Sequence, residues 1–485
     1  MIKKNLYSFH RMLGAMLSIL FVLWFFTGFV MIYHNFPKMK DSEKYRGLAI
    51  FSPDSQHHVD TLLKKTPTAQ LDYLSLKSDL KGKFQLIFST AQRQHVINEH
   101  GITSDRYSFK EIKSYASRVN TAPINKVDTL NSLDRWLTYD KYKDDFPVYK
   151  FHFTDKHHSE LYVSSLTGEG LQYTNSNSRF WAWVGAIPHW LYIANLRHYT
   201  NTWKTTVIVL SGIGSVMCIS GLTIALIAFY RQFKHRRQIL SPYKKVMYKW
   251  HHITGFFFGF FVFTFAFSGM MSLQKVPQWL IKTSNQSIET ALRLNPVLPI
   301  ASYRLDYKLI LKKHAGHIKK LEWTSFGKKP YYKAIIDDST HYVDATLDSL
   351  KELSLTPKDI KERIALLQTE PVKVQQINKY DNYYIHKKDK LPLPVYKVTV
   401  SDADSTVYYI NPKTAETRYF NSNLKIRKWT YQALHSFTVK QILDKPVLWN
   451  FLMWSSMLGG TVVSLTGFWL SIRFIKRKIN GKQRY

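Results

Sequence analysis

Four uncharged runs constrain this chain more than any other feature. Residues 12–33, 205–230, 253–273 and 447–472 contain no Asp, Glu, Lys or Arg. A helix of about 20 residues crosses a hydrocarbon layer about 30 Å thick. Within lipid, a helix satisfies its own backbone N–H and C=O groups. The runs therefore predict four spanning helices over 12–33, 203–230, 253–273 and 447–472. The mean hydropathy of −0.24 hides them, because insertion is decided segment by segment. The first run is too long for a signal-peptide core, and no small-residue cleavage site follows it. It is read as a retained helix.

Flanking charge gives the expected orientation. Lys and Arg number 68 against 34 Asp and Glu, a formal +34. In a soluble protein that excess would suggest nucleic acid. Here residues 1–11, 231–252 and 473–485 carry 16 basic side chains and no acid. The positive-inside rule makes these segments cytoplasmic, with both termini inside. The remaining net +18 faces outside, so the expected partner is the lipid bilayer and not nucleic acid. Residues 34–202 and 274–446 then lie outside, and both are too long for plain loops. Each is expected to fold as a domain. The lone Cys218 excludes intramolecular disulfides, Cys-ligated clusters and covalent c-type haem.

Self-comparison reveals a collinear series of matches. His10-Arg11-Met12-Leu13-Gly14 resembles His251-His252-Ile253-Thr254-Gly255, and Thr27-Gly28 resembles Ser268-Gly269, both at offset 241. Pro147-Val148-Tyr149-Lys150 recurs as Pro394-Val395-Tyr396-Lys397. Trp183, His189, Trp203 and Ser220-Gly221 match Trp429, His435, Trp449 and Thr466-Gly467, all at offset 246. One duplication accounts for the series: helix, outer domain, helix, twice over.

Each outer segment ends in strand-like runs bounded by turn residues, at 148–153, 161–163 and Thr167-Gly168-Glu169, then at 395–400, 407–410 and 411–414. Upstream, Ser108 with Glu111 forms a capping box before a helical stripe, and Thr356-Pro357 starts a second helix. The fold class expected is an α+β membrane protein. Its four helices form two tandem repeats around two small outer domains.

Residues 147–169 resemble the end of a PepSY domain. The helix start His-Arg-x-x-Gly and the outer His before the second and fourth helices resemble the PepSY-associated transmembrane family. The resemblance covers nearly the whole chain. Thr414-Ala415-Glu416 departs from its Thr-Gly-Glu turn and leaves that turn type open. Members include iron-regulated inner-membrane proteins and ferric-siderophore reductases with b-type haem. The resemblance therefore implies haem, ferric-siderophore reductase activity and a bacterial inner-membrane setting with periplasmic outer domains.

Position sorts the 19 histidines. A single His at a membrane helix end commonly serves as an interfacial anchor. The repeat favours a pairing instead: His10 with His251 on the cytoplasmic side, and His189 with His435 outside. Two imidazoles facing each other across a pseudo-two-fold axis suit six-coordinate haem, which takes one nitrogen on each face. Two haem b groups are expected. His34, His198 and His252 are second choices, because His34 aligns with Lys275, His198 with Asp444 and His252 with Arg11. His57-His58, His157-His158 and His314-x-x-His317 could serve as metal ligands, the last pair sharing a helix face. No set of three or four ligands is evident, so solvated polar residues are the favoured reading.

Between the two His levels the helices are rich in aromatics, with Trp24, Phe25 and Phe26 in the first and eight phenylalanines in the third. These serve lipid contact, packing or a dry wall around a porphyrin. Gly14, Gly255, Gly259, Gly459 and Gly460 permit close approach by a helix or a flat macrocycle. The absence of charge inside the runs disfavours a pump. The cytoplasmic segments are too short for a flavin or nicotinamide domain. An electron donor must then be a quinol or a separate reductase. The resemblance points to a ferric-siderophore, or a periplasmic binding protein carrying one, as acceptor. A membrane-anchored PepSY module that binds or regulates a protease, and an iron or haem permease, are the alternatives.

Overall fold

The computed structural model describes residues 2–51, 63, 71–78, 84–90, 93–97, 103–104, 106–236, 241–274, 297–388 and 390–482. Four long helices dominate it: α1 (Ile2–Tyr33), α2 (Thr200–Arg236), α3 (Val246–Leu273) and α4 (Pro446–Lys482). All four are long and apolar enough to cross a membrane. They form a ring in which α1 and α3 each pack on both α2 and α4. Leu17, Phe21 and Phe25 of α1 meet Val262 and Ala266 of α3 and Met453 and Met457 of α4 in the bundle core. Only 28–33% of the most apolar windows is buried, so most of their greasy surface points outward, as a bilayer requires. Phe26, Phe257 and Phe260 are among these exposed rings.

Glycines set the closest helix contacts. A Cβ on Gly460 would lie 2.1 Å from the Phe25 ring, and one on Gly459 2.1 Å from the Phe258 ring. These two make room for neighbouring helices.

The described strands form three sheets. A four-stranded meander of β5 (Ile124–Leu130), β6 (Val148–Phe153), β7 (Glu160–Ser164) and β8 (Gly170–Thr174) is matched by one of β12 (Val372–Ile377), β13 (Val395–Val400), β14 (Val407–Ile410) and β15 (Thr417–Phe420). A short capped helix precedes each. Ser108 and Glu111 form the capping box of Phe109–Val119, and Thr356 and Asp359 that of Pro357–Ala365. Ile112 and Ala116 pack on Phe151 and Leu161, as Ile360 and Ile364 pack on Val398 and Tyr408. The Tyr162 hydroxyl donates to Asp134 at 2.8 Å, and the Tyr409 hydroxyl donates to Asp381 at 2.7 Å. The two hairpin turns are also alike. Gly168 has φ +64°, and Ala415 adopts φ +59° in its place.

The third sheet departs from the expectation of one domain per outer segment. Its order is β11-β10-β9-β1-β2-β3-β4, where β1 (Tyr73–Ser78), β2 (Phe84–Thr90), β3 (Arg93–Ile97) and β4 (Thr103–Ser104) come from the first outer segment. The second segment supplies β9 (Ile318–Phe326), β10 (Lys329–Ile336) and β11 (Ser339–Asp344). Leu74 pairs with Trp323 and Leu76 with Leu321 across the junction. β1 is buried along nearly its whole length and pairs with β2 on one edge and β9 on the other. The two outer segments thus share one core.

A buried ion cluster fastens this sheet to the first meander. The Glu169 carboxylate, in the β7–β8 turn, meets Lys44 at 2.9 Å and Lys77 and Lys320 at 3.3 Å. Lys320 also reaches Glu322 at 2.8 Å. Burial alone would raise the Glu169 pKa. Lys320, Lys77 and Lys44 reverse this and hold it well below the usual carboxylate value.

Candidate functional site: two levels of facing histidines

At the inner level, His10 of α1 faces His251 of α3, with ring centres 6.4 Å apart. At the outer level, His189 faces His435 at 6.2 Å. Two metal–nitrogen bonds of about 2 Å, with about 1 Å from each ring centre to its nitrogen, together span about 6 Å. Both pairs have the spacing of two imidazoles on one metal.

All four rings are held in the same way. His10 Nδ1 lies 3.2 Å from the Met217 carbonyl and 3.1 Å from Ser220 Oγ. His251 Nδ1 lies 3.2 Å from the Val463 carbonyl and 3.0 Å from Thr466 Oγ1. His189 Nδ1 lies 3.1 Å from Thr27 Oγ1, and His435 Nδ1 lies 2.9 Å from Ser268 Oγ. Each of these hydroxyls donates its own proton to a carbonyl three or four residues back in its helix. Its lone pair is left to accept, so Nδ1 carries the histidine proton. Nε2 then holds the free lone pair, as metal ligation demands. Among the described residues, Nε2 of none of the four has a hydrogen-bond partner.

Glycine follows each of these hydroxyl residues. A Cβ on Gly221 would come within 2.7 Å of His10 Cε1, and one on Gly467 within 3.1 Å of His251 Cε1. A Cβ on Gly28 would meet Met457 at 2.6 Å and His189 Cε1 at 3.7 Å. Ser220-Gly221 and Thr466-Gly467 are therefore imidazole cradles, whereas at Thr27-Gly28 and Ser268-Gly269 the hydroxyl holds the ring and the glycine does not press on it. Their recurrence was visible in the sequence, but their purpose was not, because each pair lies far along the chain from the ring it holds.

Irregular backbone aims the outer pair. The helix Ser176–Val184 breaks at Gly185 before Ala186–His189. A Cβ at Gly185 would collide with Val30 of α1 at 2.7 Å. In the second half a π-helical turn, Lys428–Ala433, precedes His435. Such turns widen the helix and rotate the residues beyond them, frequently at functional sites. Trp203 Nε1 then donates to the Trp190 carbonyl at 2.8 Å, and Trp449 Nε1 donates to the Ser436 carbonyl at 2.9 Å. Each indole thereby pins the residue after the histidine. Burial pushes His189 down to about 3, with His435 adding to the effect, and pushes His435 down to about 4. Both are neutral at physiological pH, the state a ligand requires.

The outer pair lines a cavity of about 610 Å³, within the range of cofactor sites. Phe25, Phe265, Met453, Met457, Gly28 and Gly269 give it an apolar interior. On α1, His10 and the His189 cradle at Thr27 are 17 positions apart, about 26 Å along the helix axis. Phe21, Trp24 and Phe25 lie between the levels.

The second-choice histidines stand elsewhere. His34 stacks flat on Trp181, with centres 4.0 Å apart. His198 is exposed. His252 is buried edge-on against Tyr243 at 5.4 Å. The structure also corrects the reading of His314 and His317 as sharing a helix face. The helix Tyr307–Lys313 stops before them, and His317 pairs with Asp337 at 3.0 Å. His157 and His158 are exposed in a turn, and His57 and His58 lie outside the described residues. No cluster of three or more metal-ligating side chains occurs among the described residues.

No family model matches the chain, and no curated protein matches it either.

Proposed function

We propose that this chain is a b-type dihaem electron-transfer protein of the bacterial inner membrane. It takes electrons from a quinol or a separate reductase and delivers them to a periplasmic acceptor. The observation that carries this reading is the pair of facing imidazoles at each of two levels, all four with Nδ1 engaged and Nε2 open. The donor set fits b-type haem: two neutral nitrogens at the right spacing, a hydrogen-bond acceptor behind each ring, and an apolar cavity beside the outer pair. His10 and His251 would hold one haem, and His189 and His435 the other. Bound haem would supply reversible one-electron chemistry.

The chain's own residues position the imidazoles, fix their tautomer and exclude water with aromatic walls. The basic, acid-free short segments support a cytoplasmic location for both termini. The matched sheets, caps and cradles support a tandem duplication with PepSY-like outer domains. An outer region near +18 would attract anionic chelates, and ferric-siderophore reduction in iron uptake is the activity we assign. The test is the visible spectrum of protein purified after expression with ample haem. A Soret band with dithionite-sharpened α-bands is expected, and a colourless protein would end this reading. Anaerobic reoxidation of the reduced protein by ferric-siderophores tests the acceptor separately; no reaction across a broad panel would remove the reductase assignment.

A further inference from the structure

Among the described residues, the cavity beside His189 and His435 is lined by Lys387, Lys388 and Arg427 as well as by apolar side chains, and by no carboxylate. Local structure accounts for part of this charge. Lys388 Nζ donates to Asn35 Oδ1 at 2.5 Å and lies 3.4 Å from the Met31 carbonyl, at the end of α1. Arg427 Nη2 donates to the Ser272 carbonyl at 2.8 Å, at the end of α3. Cations commonly cap helix C-termini in this way.

Two features exceed that role. A guanidinium has five N–H donors, and the exposed Arg427 guanidinium makes no other hydrogen bond and no ion pair among the described residues, which leaves its fork free for an incoming anion. Lys387 caps nothing. Its ammonium sits 3.6 Å from the centre of the Trp449 ring and has no hydrogen bond or ion pair among the described residues. Burial, then the nearby Lys388 charge, lowers its pKa to about 8. The Trp449 ring face stabilises part of this half-buried charge, and an anion would offset the rest of its desolvation cost. Trp449 is also the indole that pins Ser436 beside His435, which places Lys387 on the frame of the outer histidine pair.

Resting on the haem reading above, we infer that Lys387 and Arg427 bind the two propionate carboxylates of the porphyrin held by His189 and His435. The macrocycle's apolar body would occupy the aromatic and methionine-lined part of the cavity. Its single charged edge would meet the only charged part of the described lining. Arg would engage a carboxylate through its fork and Lys as a point charge.

The test uses the full-length chain in detergent, with His10→Ala removing the inner level. Apo protein is titrated with haem and with haem dimethyl ester, whose propionates are blocked. Haem is expected to bind at least ten-fold more tightly than the ester. The double variant Lys387→Met, Arg427→Leu should weaken haem by a similar factor and leave the ester unchanged. Equal affinity for the two porphyrins, with no effect of the substitutions on haem, would overturn the anchor while leaving the haem site standing. No shift of the Soret band to its six-coordinate position with either porphyrin in the unsubstituted chain would overturn both. The comparison of haem with its ester needs no substitution at Lys387 or Arg427, so misfolding of the double variant cannot mask the answer.

Discussion

His10 and His251 face each other across the bundle with ring centres 6.4 Å apart, and each directs Nδ1 at a carbonyl and a hydroxyl of the adjacent helix. The tautomer is thus set by residues more than 200 positions away. Removing the hydroxyls should loosen the rings without removing them. On the proposed haem reading, Ser220→Ala with Thr466→Val is expected to weaken haem binding at the His10–His251 level by about 10–100-fold. Haem transfer to an apo-globin acceptor would measure this. Transfer as slow as from the unsubstituted chain would refute the orienting role.

The glycine beside each hydroxyl gives an ordered pair of outcomes. Gly221→Ala places a Cβ 2.7 Å from His10 Cε1, closer than real contacts allow, whereas Gly467→Ala places one 3.1 Å from His251 Cε1. Gly221→Ala should therefore cost more of the inner-level Soret intensity than Gly467→Ala. Both proteins should remain folded by circular dichroism. The reverse order would contradict the cradle geometry.

His34 and His198 serve as controls. His34 stacks on Trp181 and His198 is exposed. His34→Ala and His198→Ala should keep the full reduced α-band spectrum, while His189→Ala and His435→Ala each remove the outer contribution. Loss of a band in His34→Ala would require an asymmetric ligand set.

Glu169 predicts a stability defect remote from the histidines. Glu169→Gln leaves Lys77 and Lys320 buried without their shared carboxylate. Breaking a buried charge network from one side costs about 3–5 kcal/mol. Denaturation of the outer region should show that loss. The corresponding Glu416→Gln, at an exposed side chain, should change stability by less than about 0.5 kcal/mol.

The same carboxylate fixes a pH dependence. Its folded pKa lies well below the ordinary glutamate value of 4.5. The unfolded chain therefore binds more protons as the solution is acidified. Its contribution is full above about pH 4.5 and is lost as pH falls through the depressed folded pKa. Melting temperatures should decline more steeply with acidification below about pH 4.5 in the native chain than in Glu169→Gln.

The four helices are legible in the residues alone, because an uncharged run of twenty or more residues has few other stable environments. So are the capped helices at Ser108 and Thr356, whose signals are local. Collinear self-similarity singled out His10, His189, His251 and His435, and the fold brings them together as two facing pairs. Tertiary structure alone decided which nitrogen each ring leaves open, because the orienting carbonyls and hydroxyls sit on other helices. It decided that β1 pairs with β9 across some 240 residues, a contact that no local pattern encodes. It also set Glu169 apart from Glu416: similar turns carry both, but only one faces a neighbouring sheet with lysines to receive it.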